Sequence, residues 1–163
     1  MKLMIGDVFR MQAVPEMLGI IQHARKGEYF LNILTVDLSE HLINSRLWRP
    51  VLCGITLDAK FFCGDWVVIG QSLRLASIMP SPAFKLSRNN KHVYEEFSTD
   101  LIDENEMKRS NAIPVPRVTV APVRFEKAAL AILRREDWAD SYDKILYKNY
   151  FKNSDIRFEL DLT

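Results

Sequence analysis

The sequence predicts an α+β protein built on a strongly bent or barrel-like, mostly antiparallel β-sheet, with one or two C-terminal helices packed on it. Three observations predict this class. The first half is a succession of β-favouring runs separated by turn signals, an amphipathic stripe follows Pro122, and DIRFELDLT at the end alternates strictly. From Gly6 to about Leu38 the runs are VFRM, LGIIQHA and YFLNILTVDL, and the polar break Arg25-Lys26-Gly27-Glu28 makes the last two a hairpin. In the third run both alternating sets, Tyr29/Leu31/Ile33 and Phe30/Leu34/Val36, are largely apolar, which suits a central strand covered on both sides.

Ser39 to Pro50 reads as a short helix or loop, because Ser39 is a usable cap while Pro50 stops a helix from continuing. VLCGITL (51–57) and WVVIG (66–70) read as strands on either side of a Gly64-Asp65 turn. After the irregular MPSP (79–82), AFKLSR and KHVYEEF form a hairpin about Asn89-Asn90, since asparagine tolerates positive φ. Ser98 to Asn111 is polar and acidic, an exposed loop or one short helix. The spread of prolines through IPVPRVTVAPV (113–123) favours an edge strand or extended connection. Next comes a helix whose stripe is Phe125, Ala128, Ala129, Ile132 and Leu133. A second helical pattern carries Tyr142, Ile145, Leu146 and Tyr150 on one side, with Asp140 or Ser141 as cap. In the final strand Ile156, Phe158, Leu160 and Leu162 share a face.

Length and composition place all of this in a single domain, 1–163: 163 residues, 48% hydrophobic and 10% aromatic, suffice for one core. The 22 basic and 21 acidic residues leave a net charge of +1, so no whole-protein field draws the chain to nucleic acid or to a membrane. Asp7 and Arg10 interrupt the first apolar stretch, and no uncharged apolar run approaches the roughly 20 residues of a membrane span. Cys53 and Cys63 read as reduced, buried thiols, which together with these features points to a cytoplasmic protein.

Catalytic chemistry has little to stand on. His23, His41 and His92 are dispersed with no HxH or HExxH spacing, so no metal or other cofactor is expected. Ser72 and Ser77 lack a nucleophile-elbow context, and the six glycines form no phosphate-binding loop. Trp48 and Trp66 read as core anchors, and Trp138 as a partly exposed candidate contact residue. The local charge feature is the acidic set Glu95, Glu96, Asp100, Asp103, Glu104 and Glu106. It reads either as a solvated loop or as a partner-binding surface complementary to a basic protein, such as a nuclease with a positively charged site.

Gly6-Asp7-Val8-Phe9-Arg10, then Trp66-Val67-Val68-Ile69-Gly70, then Pro82-Ala83-Phe84 resembles the immunity protein 26 family of bacterial polymorphic toxin systems, over roughly the first half of the chain. The resemblance implies a cytoplasmic protein that binds a cognate toxin domain and neutralises it by occlusion, without turnover. It transfers no catalytic residues. Gly6 and Gly70 look like turn or strand-end positions, and Phe9, Trp66 and Ile69 like core. The same family is associated with a small phosphotriesterase, so hydrolysis of organophosphate esters is the alternative; a general protein-interaction module, using its last strand to pair with a partner's sheet edge, is the third reading.

Overall fold

A computed structural model describes residues 2–36, 46–88, 91–98 and 100–163, with the side chains of residues 87, 88, 91 and 92 outside the description. The predicted hairpin turn at Asn89-Asn90 and the Ser39 cap lie outside the described residues. The predicted fold class holds: a curled, antiparallel half-barrel of six strands carries a helix and 3-10 turns near its C-terminus.

Strands β1 (Asp7–Met11), β2 (Val14–Arg25), β3 (Glu28–Val36), β4 (Leu47–Thr56), β5 (Trp66–Gln71) and the short β10 (Phe158–Glu159) form this sheet in the order β10-β4-β3-β2-β1-β5. The β2–β3 turn falls at Lys26 and Gly27, both at positive φ (49° and 79°). Two successive left-handed residues give a turn whose twist matches that of the strands it joins, and glycine takes the second place without strain. β3 is central and covered on both faces, as its two apolar sets predict: Leu31 and Ile33 belong to one core cluster, Phe30 to a second and Leu34 to a third.

Pro50 does not mark the end of a helix. It lies inside β4, opposite Leu34, where the register slips between Ile33 and Leu34. A residue without an N–H fits a ladder only at such an irregularity. Because the strand begins at Leu47, Trp48 is a strand residue pairing with both Val36 and Phe158.

The first core cluster is organised by aromatic rings. Phe9 lies across Gly19, its antiparallel partner, so closely that a Cβ on Gly19 would stand 2.0 Å from the ring. Trp66 stacks on Phe9 at 5.0 Å and 14°, and Phe61, from the single-turn helix α1 (Ala59–Phe62), meets both rings edge-on. Helix α4 (Pro122–Ile132) covers this face with Phe125, Ala128 and Ala129, and Pro122 occupies its first turn, where no N–H is needed. Helix α2 (Leu73–Ile78), capped by the Ser72 hydroxyl, covers the third cluster with Leu75 and Ala76. Six residues are too few to establish a helical period, so the sequence shows no element there.

A second sheet, ordered β8-β7-β6-β9, comprises the predicted hairpin β6 (Ala83–Arg88) and β7 (Lys91–Glu96), the two-residue β8 (Leu101–Ile102) and the edge strand β9 (Val115–Pro116). Helix α3 (Glu104–Arg109) follows β8 and matches the helical one of the two alternatives, loop or short helix, expected between Ser98 and Asn111. Phe84, Phe97 and Met107 from this arm meet Phe30, Cys53 and Ile55 of the first sheet in the second cluster.

The second predicted helix is two 3-10 turns instead, Asp140–Ile145 and Tyr147–Asn149, capped by neither Asp140 nor Ser141 but starting after Ala139. Leu146 between them is extended and bridges to Leu52, and that pairing stops an α-helix from propagating. Tyr142, Ile145 and Tyr150 still point inward. The final alternating segment pairs with β4 only at Phe158 and Glu159. It then crosses toward the opposite edge of the sheet, where Thr163 and Gln71 exchange both backbone hydrogen bonds, at 3.0 and 3.2 Å.

Substituting Gly19→Ala should lower unfolding free energy by about 2–3 kcal/mol, because the ring of Phe9 has no low-strain place to move. Adding Phe9→Leu should recover part of that loss, and a chemical-denaturation double-mutant cycle measures the coupling.

Candidate functional site

The six acidic residues occupy one end of the second sheet, but in three different roles. Glu95 points inward: its side chain is 11% exposed and pairs with Arg25 at the end of β2. Asp103 caps α3 by accepting the Glu106 N–H at 2.8 Å. Glu104 pairs loosely with Lys108 one turn on, at 3.6 Å with both side chains exposed. Glu96, Asp100 and Glu106 carry the remaining charge, partly or fully exposed, and the Glu96 N–H donates to the Asp100 carbonyl in the turn between β7 and β8.

Two of these carboxylates, Asp103 and Glu104, line an open depression of about 380 Å³ together with Val93, Tyr94 and Ile102. The β7–β8 pairing of Tyr94 with Ile102 puts apolar side chains beside the acidic helix start, and Leu101 next to them is 54% exposed. The sequence reading named the carboxylates and missed these apolar neighbours. The alternation of KHVYEEF held the signal, but LI at 101–102 is too short to be recognised as a strand.

What holds this arm in place is a set of ion pairs at the β2–β3 turn. Arg25 binds Glu95, and Glu28 accepts from Arg117 at 2.7 Å and from the Thr119 hydroxyl at 2.6 Å. The Thr119 hydrogen bond, with Arg117 behind it, holds the Glu28 carboxyl below its ordinary range. The Arg117 guanidinium also lies over the rings of Phe84 and Phe97, 5.6 and 5.1 Å from their centres. Deeper in the same seam the Gln22 amide donates to the Met79 and Pro80 carbonyls and accepts from Asn32, so the MPSP segment is tied to the central strands. His23 sits between Phe30 and Phe97, with the Ser81 hydroxyl 3.3 Å away, and burial depresses its basicity.

The other candidates have structural duties. Ser72 caps α2, Ser77 donates to the Arg74 carbonyl, and Trp138 donates to Asp143 with its ring edge-on to Tyr142. Cys53 is buried as expected and burial pushes its thiol pKa up, whereas Cys63 is exposed at the end of α1, contrary to the expectation for both thiols. Trp66 is buried and its indole donates to the buried Glu126 carboxylate at 2.8 Å, a partner that the apolar stripe of α4 gave no sign of. Among the described residues no group of three or more His, Cys, Asp or Glu is placed to hold a metal ion, and no helix is long and apolar enough to cross a membrane; His41 and the His92 side chain are outside that description.

Two outcomes follow for stability. Glu95→Gln should cost about 1–2 kcal/mol by leaving a partly buried Arg25 without its charge partner, whereas Glu106→Gln should change the melting midpoint little. For His23, the unfolded imidazole binds a proton near pH 6.5 and the folded one only at lower pH. Folding stability should therefore fall as pH drops below about 6.5, and His23→Gln should flatten that limb in denaturation curves taken between pH 7 and 5.

With this geometry in view, comparison with known proteins adds no relative: no protein-family model, no curated protein and no solved structure matches the chain.

Proposed function

We propose that this chain is a cytoplasmic immunity protein, which binds a cognate bacterial toxin domain and neutralises it by occlusion, without turnover. The observation that carries the reading is the acid-rimmed apolar depression on the second sheet. Val93, Tyr94 and Ile102 offer a desolvating centre lined on one side by the Asp103 and Glu104 carboxylates, and Glu96, Asp100 and Glu106 add exposed or partly exposed negative charge on the same β7–β8–α3 segment. An apolar centre supplies affinity, and like charges at a rim steer a basic partner and reject an acidic one. A nuclease domain, whose own site is positively charged to hold phosphates, is the partner chemistry that such a surface suits.

The Arg25–Glu95 and Arg117–Glu28 pairs support this reading by fixing the surface before binding, so that little conformational freedom is lost on association. The resemblance in GDVFR, W-x-x-I-G and P-x-F supports it differently. Gly6 turns at φ +89°, Phe9 and Trp66 stack in the core, and Phe84 is fully buried. The motif residues thus specify a scaffold and leave the contact surface free to vary with the toxin.

The test is a binding titration against the toxin domain encoded beside this gene. A one-to-one complex is expected, and reversing Glu104 and Glu106 together to lysine should raise Kd about tenfold or more and flatten its salt dependence. Unchanged affinity after the double reversal would remove the acidic surface from the interface.

A further inference from the structure

The last six residues, FELDLT, do not behave as a strand of the barrel so much as a peptide seated in a cleft. The seat is specific at each step. Phe158 and Leu160 pack on the third core cluster beside Val8, Leu34 and Leu75. Asp161 accepts from Arg74 through Nη2 at 3.0 Å and Nε at 3.3 Å, and from the Ser72 hydroxyl at 3.3 Å. Leu162 comes so near Gly70 that a Cβ there would meet it at 3.3 Å, and Thr163 closes the seat through two backbone hydrogen bonds with Gln71. Gly70, one of the two glycines in the sequence pattern, lies at the end of β5 as expected and is also the floor of a slot.

The attachment is nevertheless light. Only two residues pair with β4 and one with β5, the Arg74 contacts to Asp161 and to the Glu159 carbonyl and the Thr163 hydroxyl bond to the Gln71 carbonyl are exposed, and residues 153–157 leading into the segment belong to no helix or strand. Exposed ion pairs contribute little, and segments tied by few backbone bonds open at far lower free energy than a sheet centre.

We propose that the seat running from the Leu47–Trp48 end of β4, past the start of α2, to the Gln71 end of β5 is a recognition site for an extended peptide strand, filled in cis by residues 158–163 and open to exchange with a partner protein's strand of the same chemistry. The chemistry of that strand is written in the occupant: apolar residues at alternate positions, the second followed by a carboxylate for Arg74 and Ser72, then an apolar residue over Gly70. Recognition is by strand addition, with backbone pairing to Leu47 and Trp48 at one end and to Gln71 at the other for affinity, and the alternate side chains for selectivity. This site lies on the first sheet and does not depend on the acidic surface of the second.

The experiment uses a chain ending at Ser154 and a labelled synthetic peptide of residues 155–163. Saturable binding with a raised melting midpoint is expected, with about fivefold weaker binding for the peptide carrying Asp161→Ala and at least tenfold weaker binding for Leu160→Ala. No binding by a cooperatively melting shortened chain, or equal binding of a scrambled peptide, overturns the proposal. If the shortened chain lacks a cooperative melt, the full chain decides by hydrogen exchange. Excess peptide should label the full chain, and the Gln71 amide should exchange at least a hundredfold faster than the β1–β2 ladder. Protection of Gln71 equal to that ladder, with no labelling, overturns it equally.

Discussion

The ring of Phe9 can lie flat on the sheet only because Gly19, directly across on β2, has no side chain there. That contact sets the level at which every later layer packs. Trp66 stacks on the face of the ring turned away from Gly19, Phe61 meets both rings edge-on, and Phe125 of α4 meets Trp66 edge-on. A buried aromatic ring removes about 150–250 Å² from water, an upper bound of about 4–6 kcal/mol each at about 25 cal/mol per Å². Polar groups then lock the stack in one arrangement. The Trp66 indole finds Glu126, whose other oxygen takes Lys60, and Lys60 in turn holds Asp65 at the start of β5. Helix α4 can therefore rest on the sheet at one rotation only, the one that brings Glu126 to the indole.

Covering one face of β3 leaves the other bare, and the rest of the molecule answers that need. Leu34 and its neighbours are closed by α2 and by Phe158 and Leu160, while Phe30 is closed by the second sheet and by Tyr147, Tyr150 and Phe151. The two regions meet at Gln22 and Asn32, which carry the central strands' only deeply buried amide pair among the described residues. Burying the Gln22 amide is tolerable because it spends its N–H groups on the carbonyls of Met79 and Pro80 and its oxygen on Asn32, whose own Oδ1 is buried without a partner among the described residues. The same bonds fix where the second sheet begins. The position of the acidic surface therefore traces back, through MPSP and the ion pairs at the β2–β3 turn, to the central strands.

Sequence order made most of this legible where a pattern was long. The three opening strands, the central place of β3, the β6–β7 hairpin, the edge position of 113–123 and the stripe of α4 all follow from periodicity and turn residues. Beyond the elements too short to show a period, three longer features were not legible, each for a local physical reason. Pro50 looked like a stop because a register slip between Ile33 and Leu34 is a property of two strands, invisible in one. Tyr142 to Tyr150 had a helical period, yet Leu146 is drawn into a bridge with Leu52, so tertiary pairing overrode local preference. DIRFELDLT alternates because its two sides meet the core and the solvent, not because it runs as a long strand. At the candidate surface, counting acidic residues could not separate Glu95, turned inward to Arg25, from Glu96, turned outward, since neighbouring residues on a strand face opposite ways.

That separation changes how the charge of this protein should be weighed. A net charge of +1 describes the field far away, but screening confines interactions between exposed charges to about 8–10 Å at physiological salt. Within that range what matters is the charge left uncompensated. On the second sheet, Glu95 is neutralised by Arg25, Asp103 is committed to a helix cap and Glu104 is offset in part by Lys108. Glu96, Asp100 and Glu106 remain, near exposed Leu101. An approaching protein meets that local negative field first and the apolar patch second. In the proposed binding role, the first ordering would favour fast, selective encounter and the second would supply slow release.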